Sequence, residues 1–379
     1  MDFDFSSEQY LFQVSTRGFL DQNYDLARLR RLLEGDGFDR ELWDKLTETG
    51  ALSMLVPESY GGMGLSFVDL ALVLEEYGRA LVPAPVVETI VATDAIARFG
   101  THAQKASLLP RIAAGELKIV PAISEAEAGY DLADIAVIAM PEGGGWRVSG
   151  RKVLVPHATT ADLILLVARF SAGGPLGLVL IEDGREGLSA CEHSTIDPSS
   201  RFYELKLDAV PIVREDIVGG EPSQASADRL FDASGGAAAV ILTGIAGKVL
   251  DDSVAYAKQR TQFGKPIGSF QAIKHRCADM AVAIDASRSA AYYAAWALAE
   301  DSPDRAKAVS MAKSYCGEAA GFVCNEGVQI HGGMGFTWEL GLHFYLRRSM
   351  ILESSYGDTA YHRERVLAAT LAELDIRAA

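Results

Sequence analysis

Two short segments near the C-terminal end of the chain carry residue types that bind nucleotide cofactors. In RTQFGK (260–265), Arg260 is a planar cation that could hold a pyrophosphate through two parallel hydrogen bonds. Phe263 offers a flat apolar face to an adenine ring, and Gly264 lets the backbone turn sharply. Taken alone, this segment also fits a corner between two helices that exposes an arginine.

The second segment, QIHGGMG (329–335), follows roughly seventy residues later. Gln329 can donate to a phosphate or ribityl oxygen, and Gly332 and Gly333 let backbone N–H groups approach an anion closely. His331 is either a polar wall near the cofactor or a structural histidine. Since a Gly-Gly pair also commonly ends a helix, the prediction of a cofactor site depends on both segments together.

Composition limits the classes of partner. The formal charge of −16 argues against a nucleic acid or an anionic membrane, because both require basic patches. The four cysteines and seven histidines show neither CxxC nor HExxH spacing, so we expect no metal site. The acidic N-terminus lacks signal-peptide features, and no long uncharged apolar stretch indicates a membrane span. We therefore expect a cytoplasmic protein with reduced thiols.

The pattern of apolar residues changes twice along the chain, which indicates three domains. Residues 1–118 are predicted to be helical, residues 119–226 to form short strands, and residues 227–379 to form an Ala-rich helical bundle. This is an α+β fold with an N-terminal α-helical domain, a middle β-barrel or sandwich domain and a C-terminal four-helix bundle. The predicted helices include 66–81, 103–117, 227–259, 268–300, 304–330, 338–352 and 359–376, and GGGW (143–146) predicts a hairpin turn.

Four segments, in this order, resemble the acyl-CoA dehydrogenase family over nearly the whole chain. They are PESYGGMGL, AISEAEAGYD, RTQFGKPIGSFQAIKHRCADM and QIHGGMGFTWELGLHFYLRR. Within the family, MDFDF…EQ at the start and YGDTAYHRERV at the end are most similar to the small subunits of pimeloyl-CoA dehydrogenase.

The resemblance implies that FAD is the cofactor and an acyl-CoA thioester the substrate. In such enzymes a base removes the α-proton while a hydride passes from the β-carbon to flavin N5, and the electrons leave through an electron-transferring flavoprotein. The site must be dry, and polarisation of the thioester carbonyl stabilises the developing enolate. The implied assembly is a homotetramer or a heterotetramer with a second acyl-CoA dehydrogenase subunit.

The resemblance also implies which residues bind FAD, because in this family the cofactor lies between two subunits. One set faces the FAD that is bound to the neighbouring subunit's β domain, and in this chain all its positions fit. Its members are Arg260, Gln262, Phe263, Phe270, Gln271, Gln329, Gly332 and Gly333. On the side that faces the chain's own flavin, Ser124 keeps the hydroxyl of the family's loop.

Other positions on the flavin-facing side depart from the family pattern. Tyr130 stands where a small hydroxyl residue is usual. The family's Trp-Ile-Thr or Trp-Ile-Ser triplet falls on 154–156, where Leu154 cannot cover the flavin as the tryptophan does and Pro156 cannot bond N5.

The residues at the positions of the catalytic base also differ from the family pattern. The commonest position of the catalytic glutamate falls on Tyr356 and the alternative position on Ser234, and neither side chain is ionised near neutral pH. Glu353 is the substitute carboxylate in reach, although it also fits a surface residue at a helix end. Asp358 is interpreted as a turn or cap residue.

Three hypotheses follow from this combination. The chain is a base-lacking subunit that completes the FAD site of a catalytic partner, or a homo-oligomeric dehydrogenase with Glu353 as a relocated base. The third is a flavoprotein of the same fold that does not dehydrogenate its CoA thioester, or a structural component of an assembly.

Overall fold

The computed structural model describes residues 5–35 and 37–378, with side chains as far as residue 374. Its helices, in chain order, are α1 (Ser7–Asn23), α2 (Leu26–Glu34), α3 (Arg40–Glu48), α4 (Phe67–Ala80), α5 (Val86–Phe99), α6 (His102–Ala113), α7 (Gln224–Gln259), α8 (Gln271–Ala299), α9 (Arg305–His331), α10 (Leu342–Ser354) and α11 (Thr359–Ala378). Its strands are β1 (Ile119–Ala122), β2 (Ile138–Glu142), β3 (Gly145–Pro156), β4 (Leu163–Phe170), β5 (Leu176–Glu182), β6 (Leu188–His193), β7 (Phe202–Ile212), β8 (Thr261–Gln262) and β9 (Lys265–Pro266).

Backbone contacts divide the chain into two compact units. One unit contains residues 1–30, 67–82 and 235–379, and the other contains 31–66 and 83–234. The predicted N-terminal helical segment is thus divided between the units: α1 packs against α4 and α4 packs against α8, whereas α5 packs against β1.

The first unit is helical, and α9 is its central element. Helices α8, α10 and α11 all pack against α9. Glycines permit close approach of α7 to its neighbours, since a Cβ at Gly327 would lie 2.4 Å from Val249 Cγ1 and one at Gly236 would lie 2.6 Å from Leu298 Cδ1. Small residues therefore determine how tightly these long helices pack.

The second unit is built on a seven-stranded, mostly antiparallel sheet with strand order β1-β4-β2-β3-β7-β6, and β5 also pairs with β4. Strands β1, β4 and β5 are almost completely buried, and their apolar residues leave almost no polar face. The predicted GGGW hairpin is present between β2 and β3: Gly143 and Gly144 both have positive φ, as a two-residue type I′ turn requires. The fold class is therefore confirmed.

Some element limits differ from the prediction. Helix α6 ends at Ala113 rather than near residue 117, because Gly115 takes a positive φ of 71° and ends the helix. Helix α10 begins at Leu342 rather than near residue 338, after Gly341 at a φ of 72°. Within the sheet, β6 is largely exposed and β2 exposes its second half, so both strands lack a run of buried apolar residues.

Helix α7 is long and apolar enough by composition to cross a membrane, but 83% of its most apolar stretch is buried inside the protein. Such burial is the pattern of a core helix.

Candidate functional site

The segment RTQFGK forms a β-hairpin that begins where α7 ends. Strands β8 and β9 pair Thr261 with Pro266 and Gln262 with Lys265. The two turn residues, Phe263 and Gly264, have φ of 52° and 77°, which is the type I′ geometry that a tight hairpin favours. The glycine adopts this backbone at no steric cost, whereas Phe263 adopts it against its usual preference.

The turn places an aromatic ring almost entirely in solvent. The Phe263 side chain is 92% exposed, and its ring lies edge-on to that of Phe270, with centroids 6.2 Å apart. The Nζ atom of Lys265, on the hairpin, lies 4.4 Å from the ring centroid of Phe270, which precedes α8. A large apolar side chain at such a position is available to a ligand or to another chain.

A surface pocket of about 620 Å³ brings the hairpin together with the end of α9. It is lined by Tyr256, Arg260, Gln262, Phe263, Ile267, Phe270, Ile273, Ile330, His331, Gly332, Gly333 and Met334. Arg260 is the one charged residue among those that line the pocket, and most of the others are apolar or aromatic. A cation beside apolar walls suits a ligand with an anionic part and a flat ring.

The two glycines at the end of α9 leave room for a ligand. Gly332 has a φ of 58° and a ψ of −138°, a conformation that is almost restricted to glycine. A Cβ at either Gly332 or Gly333 would meet nothing within 4 Å in this chain. An adenosine diphosphate moiety therefore fits the residues present: Arg260 and glycine N–H groups for the phosphates, and aromatic and aliphatic walls for the base.

The pocket does not include every residue that the sequence predicts to bind FAD. Gln271 is the first residue of α8 and Gln329 lies in the last turn of α9, and both are exposed but lie outside the lining. Sequence reasoning missed Tyr256, which precedes Arg260 by one helical turn and whose ring stacks on His331 with centroids 4.4 Å apart. Its spacing from Arg260 was the available signal.

Ser124 belongs to the second unit, in the loop after β1. The loop is fixed to β3 because Val153 N donates to Ser124 O at 2.9 Å. Next to it the buried Glu125 carboxylate accepts from Lys152 Nζ at 2.7 Å and from the backbone N–H groups of Ala136 and Val137. Burial lowers the pKa of Lys152 to about 8, against the stabilising charge of Glu125. This ion pair, which the sequence analysis did not identify, holds the loop in place.

The strand that carries Leu154 and Pro156 has an irregular backbone. Leu154 has a φ of 52° and lies where the register of β3 against β7 shifts, between Lys152 and Val155. A non-glycine residue with this φ at a bulge is uncommon. Pro156 pairs with Phe202 and has no N–H to offer a ligand.

Neither usual base position carries an ionisable carboxylate. Ser234 is buried and its Oγ donates to Leu230 O at 2.8 Å, within its own helix. Tyr356 is a half-buried residue with a φ of 56° in the turn between α10 and α11. Its carbonyl oxygen accepts from His362 Nε2 at 2.9 Å.

The two carboxylates near Tyr356 both interact with α11. Glu353 Oε1 accepts from the backbone N and the Oγ1 of Thr359, at 3.1 and 2.9 Å. Asp358 Oδ1 accepts from Tyr361 N at 2.8 Å, so it is a helix cap, as its position in a turn indicates. These contacts favour the interpretation of Glu353 as a helix-end residue over that of a base.

Three family models match in chain order. They are the acyl-CoA dehydrogenase N-terminal domain over residues 6–116, the middle domain over residues 121–210 and the C-terminal domain over residues 226–371. Among curated relatives, acyl-CoA dehydrogenase IpdE2 of Mycobacterium tuberculosis is 31% identical over 349 residues, which is 90% of this chain and 91% of that protein. The caffeyl-CoA reductase–Etf complex subunit CarC of Acetobacterium woodii is 27% identical and covers 97% of this chain and 99% of its own length.

Solved structures agree with these matches. Butyryl-CoA dehydrogenase from Megasphaera elsdenii has a TM-score of 0.91 at 27% identity, covering 98% of this chain and 100% of that one. The ChsE4–ChsE5 complex from Mycobacterium tuberculosis includes a chain with a TM-score of 0.90 at 27% identity, covering 98% and 99%. This chain therefore belongs to the acyl-CoA dehydrogenase family, whose members are FAD-dependent oxidoreductases acting on acyl-CoA.

Proposed function

We propose that this chain is the base-lacking subunit of a heteromeric acyl-CoA dehydrogenase and that it completes the FAD site of a catalytic partner subunit. The single observation that carries the proposal is the contrast between its two sets of residues. Arg260, Phe263 and Gly333 converge on a pocket suited to adenosine diphosphate, whereas Tyr356 replaces the catalytic carboxylate.

When bound, FAD supplies the hydride acceptor for α,β-dehydrogenation of the thioester. The residues of this chain bind and orient its adenosine diphosphate part. Arg260 provides the charge for the phosphates, and no carboxylate among the described residues is within ion-pair distance of it. The type I′ turn fixes the backbone of Phe263, so only its side-chain torsions need to be ordered when the ring packs against a base.

The proton of the substrate α-carbon would be removed by a partner subunit, because this chain offers a phenol and a serine hydroxyl at the two usual positions. A relative named as a subunit of a complex with Etf and a relative solved as a two-protein complex support a heteromeric assembly that transfers electrons to an electron-transferring flavoprotein. The resemblance to pimeloyl-CoA dehydrogenase small subunits supports a dicarboxylyl or other bulky acyl group as the substrate.

Flavin stoichiometry tests this assignment. Purified alone, the chain should bind less than one FAD per protomer and should not bleach its flavin with acyl-CoA. Co-expressed with a second acyl-CoA dehydrogenase subunit, it should form a complex in which Arg260→Ala lowers the FAD content. Lys258→Ala, which removes a neighbouring exposed cation outside the pocket, is the matched control. One FAD per chain in a fully active homo-oligomer would contradict the proposal.

The alternative hypothesis, in which Glu353 is a relocated base, predicts a different effect on flavin reduction. In that case Glu353→Gln would abolish bleaching of the flavin by substrate without releasing FAD. Because the Glu353 carboxylate is bonded to Thr359, we expect this substitution to affect stability instead.

A further inference from the structure

In the pocket beside Arg260, one polar atom has no protein partner among the described residues. His331 is only 4% exposed, and its Nδ1 lies 2.8 Å from Gly327 O, one turn earlier in α9. A carbonyl oxygen only accepts, so Nδ1 carries the proton in this contact. In the neutral ring Nε2 is then a hydrogen-bond acceptor.

Within residues 5–35 and 37–378, no group donates to or accepts from Nε2 of His331. This atom is nevertheless not among the fully enclosed polar atoms that lack a partner, and His331 lines the pocket. Nε2 therefore reaches the pocket surface. An acceptor that is fixed on the wall of a mostly apolar pocket is suited to a ligand that supplies a hydrogen-bond donor at that point.

The ring is held in this orientation from two sides. The Gly327 carbonyl fixes one edge, and the Tyr256 ring stacks on one face at 4.4 Å with an interplanar angle of 30°. Because both partners belong to rigid long helices, α7 and α9, Nε2 is preorganised rather than free to rotate away.

We propose that His331 Nε2 accepts a hydrogen bond from the adenosine part of the dinucleotide and so makes the pocket selective for adenosine. This inference rests on the proposed adenylate-binding function of the pocket. The surrounding walls, among them Ile267, Ile273 and Ile330, are apolar and suit a base more than a phosphate, so the exocyclic amine of adenine is the expected donor. A ribose hydroxyl has the same donor chemistry.

The test uses nucleotide titration of the full chain, freed of flavin, by calorimetry. AMP is compared with IMP, in which a carbonyl oxygen replaces the exocyclic amine, and with 2′-deoxy-AMP and 3′-deoxy-AMP, each of which lacks one ribose hydroxyl. We expect AMP to bind roughly 3- to 10-fold more tightly than IMP, which is the effect of one hydrogen bond. A preference against one deoxy nucleotide instead would identify the ribose hydroxyl as the donor.

Two variants distinguish the contribution of the Nε2 acceptor from that of the aromatic ring of His331. His331→Phe keeps a flat ring against Tyr256 but has no acceptor, and it should bind AMP and IMP equally. His331→Gln retains an acceptor and should keep part of the discrimination. Melting temperatures of both variants report whether the fold is intact.

The inference is overturned if the wild-type chain does not distinguish AMP from IMP or from either deoxy nucleotide, or if His331→Phe distinguishes them equally well. Its failure is separable from that of the proposed function through Arg260→Ala. If Arg260→Ala loses AMP binding while neither His331 variant changes the preference for AMP, the pocket binds adenylate but His331 does not determine the selectivity. If AMP does not bind the wild-type chain, both the adenylate function and this inference fall.

Discussion

The carboxylate of Glu353, near the end of α10, caps the first residue of α11, Thr359. Glu353 Oε1 accepts from Thr359 N at 3.1 Å and from Thr359 Oγ1 at 2.9 Å. The first N–H groups of a helix have no partner within the helix, and a carboxylate there also interacts favourably with the helix dipole. The carboxylate that the sequence offers as a substitute base thus has a structural partner.

Substitutions of this pair should therefore change stability more than cofactor binding. We expect Glu353→Ala and Thr359→Ala each to lower the free energy of unfolding by about 1 kcal/mol, with the double variant less than additive. Urea unfolding measures the change, and the FAD content measures the site. Glu364→Ala, at an exposed position on the same helix, is the control. Unchanged stability combined with loss of flavin bleaching would instead identify Glu353 as the base.

The turn that carries Tyr356 is held by a buried lysine. Lys313 Nζ donates to Glu353 O at 2.7 Å and to Gly357 O at 2.9 Å, on either side of Tyr356. Burial lowers the pKa of Lys313 to about 8 from 10.5, although the nearby Glu353 charge acts in the opposite direction.

The depressed pKa of Lys313 predicts a pH dependence. Above pH about 8 the unfolded chain holds this proton more strongly than the folded chain, so unfolding takes up protons and the folded state gains stability as pH rises. Relative to Lys313→Met, the wild-type free energy of unfolding should rise between pH about 8 and about 10.5, by at most about 1.4 kcal/mol per pH unit. Urea unfolding of both proteins at several pH values measures it. Parallel curves would show that Lys313 does not titrate as expected.

The exposed ring of Phe263 provides a variant that separates binding from folding. Phe263→Asn produces an Asn-Gly pair, which is the preferred sequence of a type I′ turn, so the hairpin should be as stable as before or slightly more stable. The aromatic surface is lost, and FAD or AMP binding should weaken. Thermal unfolding and nucleotide titration give the two measurements. Unchanged nucleotide affinity would show that this ring packs against something other than the cofactor.

Alanine substitutions at Gly332 and Gly333 are expected to have different effects: one on stability, the other on nucleotide affinity. Gly333 does not have a positive φ, and a Cβ there would meet nothing within 4 Å. Gly333→Ala should leave the free energy of unfolding within about 0.5 kcal/mol while reducing nucleotide affinity, because the new methyl group occupies ligand space. Gly332→Ala, at a φ of 58° and a ψ of −138°, should cost about 1 kcal/mol or more in stability. A Gly333→Ala variant that binds AMP normally would place the phosphates elsewhere.

Much of the architecture was readable from the order of residues. The change from helical periodicity to short β-branched runs and back predicted the helical, sheet and helical domains, since period and composition are local properties. The GGGW turn was equally predictable, because consecutive glycines adopt the two positive φ values of a type I′ turn without strain. The motifs around Arg260 and Gly332 contributed to the predicted family for the same reason: a tight turn and a close backbone approach require particular residues.

Tertiary structure decided what the polar side chains do. Whether Glu353 is a base or a cap depends on Thr359, six residues away across a turn, and the sequence alone was compatible with both. In the sequence, His331 is indistinguishable from any histidine at a helix end. In the structure, Tyr256 and Gly327 orient its ring so that Nε2 lies at the pocket. Lys313 was indistinguishable from a surface lysine, because burial and the carbonyls it bonds come from residues some forty positions later. Sequence determines which groups are present and which backbone conformations are permitted. Long-range packing determines which of those groups are removed from water, and burial in turn determines their protonation and their hydrogen-bond partners.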